Sequence, residues 1–243
     1  MKLPSKETIA PYREGCYTHK KPEDCHMLGQ FIKMQENDLL KAVKLFKVNC
    51  DEYGYAKSCL EYGNVAFTGV KEKNVKSDPV EALKYFEKGC SLGSSENCLN
   101  SGMLLVSPVL ENTALKRDLP KGMNYLTKSC EMENANACFY LSGMFMTGSM
   151  SGADSLKSLS NTTTPEKPAN AFVVEKDMKK AFALSTKACE LKNFYACANL
   201  SRMYALGDGT EKDLEKSEQF RKKSEELRDE FHRQRILAQF NHP

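Results

Sequence analysis

The chain has 243 residues, 41% of them hydrophobic, which is enough to bury the core of one or two domains. Its longest apolar runs, such as residues 103–106, fall far short of the ~20 residues that cross a bilayer, so no transmembrane segment is expected. Thirty-five basic residues stand against 32 acidic ones, and the net charge of +3 is spread along the chain, which argues against nucleic acid as a partner.

Residues 1–15 alternate Lys, Glu, Pro and Arg with isolated apolar side chains. They read as a short N-terminal segment, with neither the apolar stretch of a secretory signal nor the acid-poor helix of a mitochondrial presequence. From residue 16 to about 240 a single domain is expected, and its organisation is set by cysteine. The ten cysteines form five pairs, Cys16/Cys25, Cys50/Cys59, Cys90/Cys98, Cys130/Cys138 and Cys189/Cys197, with seven or eight residues between partners. First members recur at intervals of 34, 40, 40 and 59 residues, in the range of stacked helical-hairpin repeats. The long last interval holds a Ser-, Thr-, Gly- and Pro-rich stretch at about 149–170, and treating it as an inserted loop restores a period of about 40.

Within each repeat the periodicity is helical. Eight residues before the first cysteine stand Ala42, Ala82, Gly122 and Ala181, and five before it Leu45, Tyr85, Tyr125 and Leu184. Four residues after the second cysteine stand Gly29, Gly63, Gly102, Ser142 and Ser201, small throughout, which predicts a close helix–helix crossing. Seven after it stand Ile32, Ala66, Leu105, Phe145 and Tyr204. Gly69, Gly148 and Gly207 suit helix stops, while Asp78 before Pro79 and Asp213 before Leu214 suit helix starts. The expected fold is all-α, a right-handed α-solenoid of about five helix-turn-helix repeats. Each first cysteine ends one helix and each second opens the next, across a turn such as 190–196. Cysteines at the neck of such a hairpin come within reach of a disulfide, so five bridges in sequence order are expected. Zinc would want ligand spacings of two to four, and Cys-x-x-Cys redox motifs are absent; buried free thiols are the plain alternative, strained by five equally spaced pairs.

The C-terminal stretch at about 213–239 spaces Leu214, Phe220, Leu227 and Phe231 along a charged helix without cysteine. It reads as a solvent-facing cap on the stack, or alternatively as a partner-docking helix with Arg228, Arg233 and Arg235 as a basic edge.

The tract from Ala196 to Asp213, with its Gly-Asp-Gly turn and the following Lys-Asp start, resembles the Sel1-like repeat. The five cysteine pairs and that tract together resemble, over residues 16 to about 227, the cytochrome c oxidase assembly factor seven family, cysteine-rich proteins of the same superfamily as the bacterial Hcp β-lactamases. The inserted 149–170 stretch and the longer charged C-terminus depart from that pattern. The resemblance implies a disulfide-bonded protein of the mitochondrial intermembrane space, needed to assemble respiratory complex IV and in a wider reading complex I. Its implied partners are complex IV subunits or assembly factors and the oxidative import machinery, bound by a monomer without catalysis.

No phosphate loop, metalloprotease helix or nucleophile elbow accompanies the repeats, so binding over the stacked surface is the expected function and no cofactor or metal is expected. Two other classes compete. A β-lactamase-type enzyme is suggested by bacterial cysteine-rich Sel1 proteins, but no serine has lysine three residues on. Haem handling is suggested by the family's pathway, with His19 and His26 beside Cys25 as candidate ligands; a loop histidine is the plainer reading. Met123, Met144, Met146 and Met203 lie at helical positions that suit packing. The sequon at Asn161 matters only in a secretory compartment, and that at Asn199 falls inside a repeat helix.

Overall fold

The computed structural model describes residues 8–70, 75–107, 114–150 and 173–240; most of the 149–170 stretch and the sequon at Asn161 lie outside them. The chain divides into two compact units, Met1–Arg117 and Asp118–Pro243. In the first, α1 (Ala10–Tyr17) pairs with α2 (Pro22–Met34), α3 (Leu39–Asp51) with α4 (Ala56–Thr68), and α5 (Pro79–Ser91) with α6 (Ser95–Val106). The second holds α7 (Leu119–Glu131) with α8 (Ala135–Thr147), α9 (Met178–Glu190) with α10 (Phe194–Leu206), and α11 (Leu214–Phe240). Within each unit every helix packs on the next, so each hairpin is stacked on its neighbour. The only strands among the described residues are β1 (Ser149–Met150) and β2 (Val173–Val174), paired antiparallel. The fold is therefore all-α and built of helical hairpins, as the sequence indicates.

Helices α3, α5, α7, α9 and α11 start the same way, whereas α1, with Ile9 at its N-cap, has no capping side chain. Asp38, Asp78, Asp118, Asp177 and Asp213 each accept a hydrogen bond through a side-chain oxygen from a backbone N–H two or three residues on, satisfying a donor that the first turn would leave orphaned. The backbone N–H of four of these aspartates reaches back to the preceding helix: Asp38 to Ile32 O (3.2 Å), Asp78 to Ala66 O (2.7 Å), Asp177 to Phe145 O (2.9 Å) and Asp213 to Tyr204 O (2.9 Å). One residue thus caps a helix and ties it to the hairpin before. The sequence pattern brought out only Asp78 and Asp213, although the other three stand at the same position, twelve residues before a first cysteine.

The buried face differs by one position from the sequence reading. Ala42, Ala82, Gly122 and Ala181 are buried as expected, but Phe46, Phe86, Leu126 and Ser185, four residues before the first cysteine, take the core position. Of the neighbouring set, Tyr85 alone is buried; Leu45, Tyr125 and Leu184 are half-buried. The buried set at i, i+4, i+7 and i+8 forms the apolar stripe of a core-facing helix and ends on the cysteine itself.

The small residue after the second cysteine acts as the sequence suggests. A Cβ on Gly29 would lie 2.4 Å from the Phe46 ring, and one on Gly63 2.5 Å from the Phe86 ring. The following hairpin's aromatic side chain therefore lies directly on the glycine Cα. In the second unit the serines use the same position for polar contacts: Ser142 Oγ donates to Ala181 O (2.8 Å) and meets Ser185 Oγ (2.6 Å), and Ser201 Oγ meets Ser217 Oγ (3.3 Å).

Two boundaries move. The first helix starts at Ala10, inside the stretch expected to precede the repeats, because Ile9 is buried and Tyr12 packs on the cluster of Leu28, Phe31 and Phe46. The hairpin turn read as 190–196 is only Leu191–Asn193, since Asn193 caps α10 by accepting from Ala196 N.

Candidate functional site

Five necks repeat one geometry. The structure joins Cys16 to Cys25, Cys50 to Cys59, Cys90 to Cys98, Cys130 to Cys138 and Cys189 to Cys197, with Cα–Cα distances of 4.5, 4.9, 4.6, 4.8 and 4.8 Å. All ten cysteines are buried. Beside each bridge a backbone N–H crosses the turn: Lys21 to Gly15 O, Tyr55 to Asn49 O, Ser94 to Gly89 O, Asn134 to Ser129 O and Asn193 to Ala188 O, at 2.9–3.2 Å. The residue before each of these donors, Lys20, Gly54, Gly93, Glu133 or Lys192, has φ from 54° to 87°, the left-handed twist that closes the turn. Three of the five are not glycine, so composition alone could not mark them.

The residues just before the paired cysteines also face each other, and their sizes compensate. Asn49 Nδ2 donates to Ser58 Oγ (2.8 Å), and a Cβ on Gly89 would strike the Asn97 carboxamide at 2.3 Å. At the first neck a Cβ on Gly15 would strike the half-buried Asp24 side chain, and the remaining pairs, Ser129 with Ala137 and Ala188 with Ala196, are fully buried. Each disulfide therefore closes a neck that is already packed and hydrogen-bonded.

The two histidines singled out beside Cys25 have different surroundings. His19 is exposed, 3.7 Å from Glu14. His26 packs between the rings of Phe46 (5.5 Å) and Tyr55 (5.3 Å), and its Nδ1 lies 3.0 Å from Ser58 Oγ. Burial lowers its pKa to about 4, against the opposing influence of Glu61. Asn49 Nδ2 also donates into Ser58 Oγ, so the imidazole, the hydroxyl and the carboxamide form one chain of hydrogen bonds. Among the methionines, Met203 is fully buried in α10, and Met146 Sδ accepts from Arg202 (3.6 Å).

A polar brace ties the second and third hairpins. Asp51 accepts from Lys47 (2.7 Å), Lys88 (2.9 Å) and Tyr85 OH (2.7 Å), and Lys47 lies over the Tyr62 and Tyr85 rings. Burial pushes the Asp51 carboxyl upward, yet its three donors hold it well below the usual carboxylate range. Burial, with the bond to Asp51, raises the Tyr85 phenol to about 12. Four side chains from two helices thus lock the second hairpin to the third. No helix among the described residues is long and apolar enough to cross a membrane.

The Sel1 repeat family model matches residues 52–94, 113–134, 171–193 and 194–227. The chain is 47% identical over 232 residues to the cytochrome c oxidase assembly factor 7 homolog of Drosophila melanogaster, covering 92% of this chain and 87% of that protein. It is 31% identical to cytochrome c oxidase assembly factor 7 of Homo sapiens, covering 88% and 84%. Its fold is similar to that of a Sel1 repeat protein from Oxalobacter formigenes, at TM-score 0.69 and 17% identity, over 91% of this chain and 79% of that one.

Proposed function

The chain belongs to the Sel1 repeat family, within it to the cytochrome c oxidase assembly factor 7 proteins, and from that premise we propose that it is a non-catalytic factor in cytochrome c oxidase assembly. The observation that supports this most is the 47% identity to the fly protein over nearly the full length of both chains. It acts by binding protein partners, complex IV subunits or other assembly factors, over the surface of its stapled hairpins, and needs no cofactor to do so. It works in the mitochondrial intermembrane space, where the oxidative import machinery introduces all five bridges, a compartment that suits ten paired and buried cysteines. Complex I assembly is the second process it serves.

The test is depletion in the organism of origin, followed by native-gel quantification of complexes I and IV. Assembled complex IV should fall several-fold and return on re-expression of the chain, with a smaller fall in complex I. Unchanged complex IV in fully depleted cells would refute the assembly role.

A further inference from the structure

In the second unit a row of aromatic rings crosses three helices. Phe139 lies 5.8 Å from Tyr140, its neighbour on α8, and 5.8 Å from Tyr195 of α10; Phe194 is 4.0 Å from Tyr195 and 5.8 Å from Phe231 of α11. Tyr140, Tyr195 and Phe231 remain 42%, 59% and 51% exposed, so the row is a surface and not a core. Where it ends, α11 outruns its support. Ser224 Oγ donates to Phe194 O (2.8 Å), which brings α11 level with the first residue of α10, yet α11 continues about 13 Å beyond Phe231.

The charge of α11 is also sorted. Its acidic residues all lie at or before Glu230, and beyond them come Arg233 and Arg235. At 100° per residue, Arg228 and Arg235 fall on the same side of α11 as Ser224 and Phe231, the side that meets α10. Arg221, further back, is neutralised by Glu218 (2.7 Å) and Glu225 (2.6 Å), and Arg228 by Asp229 (3.2 Å); among the described residues Arg235 has no acidic partner.

We propose that this row and the arginine edge beside it dock an acidic amphipathic helix of a partner protein. Tyr, Phe and Arg are the types that concentrate at protein–protein interfaces. Apolar anchors of a partner helix, one turn of about 5.4 Å apart, would lie along the row, while carboxylates on one flank would face Arg235 and draw Arg228 from Asp229. The proposal stands apart from the assembly role, since it is read from exposure, spacing and charge alone.

The test uses the full oxidised chain with a synthetic 18-residue Leu/Glu helix, its Leu/Lys counterpart, and neutral and anionic phospholipid vesicles. Wild-type protein should bind the Leu/Glu helix and neither the Leu/Lys helix nor vesicles. R228E/R235E should weaken the Leu/Glu helix at least tenfold and admit the Leu/Lys helix. Y140S/Y195S should weaken the Leu/Glu helix by a similar factor. The arginine pair, being exposed, keeps the test valid if the tyrosine variant does not fold. No binding of the Leu/Glu helix at about 1 mM, or equal binding by all variants, would overturn the proposal. So would vesicle binding lost in R228E/R235E, which would assign the edge to a lipid surface, or self-association abolished by the same change, which would assign it to a second copy.

Discussion

His26 shows how a residue's role is decided by packing that sequence does not display. Read from the sequence as a loop histidine or a candidate ligand beside Cys25, it lies instead on α2, where two rings and the Asn49–Ser58 chain surround it and burial holds it neutral. The pKa falls from 6.5 unfolded to about 4 folded, so its contribution to stability is complete above about pH 6.5. As pH drops from 6.5 toward 4 the unfolded chain takes up a proton that the folded one refuses, and stability is lost over that window. In thermal melts across pH 7 to 4, the stability gap between wild type and His26→Gln should shrink by on the order of 2–3 kcal/mol. A constant gap would contradict the buried, neutral ring. Gly63 is the opposite case, legible from spacing alone: small residues recur four after each second cysteine. Gly63→Ala would put a Cβ 2.5 Å from Phe86, and denaturant titration should register a loss of about 1–3 kcal/mol.

At the scale of the hairpin, the bridge and the crossing N–H bond act on all five necks, and a capping side chain, Ser94, Asn134 or Asn193, is added at the last three. Replacing both Cys189 and Cys197 by Ser should cost about 2.5 kcal/mol through the freed chain of the unfolded state, leaving the capped and packed hairpin otherwise formed. Circular dichroism should show unchanged helix content with a lower midpoint; loss of helix throughout would mean that the bridges direct folding. Asp177→Ala should cost about 1 kcal/mol by the same measure, more than an exposed aspartate elsewhere would, because its side chain caps α9. The sequence made the cysteine pairs and glycine stops plain, since those residue types have few other uses. Asp38, Asp118 and Asp177 were passed over because aspartate is common on surfaces, and Glu133 and Lys192 because nothing in their chemistry announces a left-handed backbone. The Asp51–Lys47–Tyr85 brace depends on contacts between α3 and α5, 34 residues apart, and no local pattern reveals it.

For the whole molecule, the repeat, its period and its all-helical class were readable from one chain, because each hairpin solves the same packing problem with the same residue types. What the surface binds was not readable, since a docking face is defined by helices brought together only on folding, as Phe139, Tyr195 and Phe231 are. The structure also explains how the irregular interval is tolerated. Ser149 and Met150 pair with Val174 and Val173, as Val70 pairs with Val75 in the shorter α4–α5 connection, and Asp177 N still reaches Phe145 O. Replacing residues 151–172 by a two-residue turn should therefore leave the melting midpoint within a few degrees; a large fall would show that these residues support the stack.

The central claim is that this chain works in the intermembrane space as a fully oxidised, five-staple scaffold. The most direct measurement traps thiols at lysis and counts free cysteines on the endogenous protein by alkylation mass shift, fraction by fraction through the mitochondrion. The account predicts no free thiols, with the protein in the intermembrane-space fraction; ten free thiols, or a protein confined to the cytosol, would contradict it.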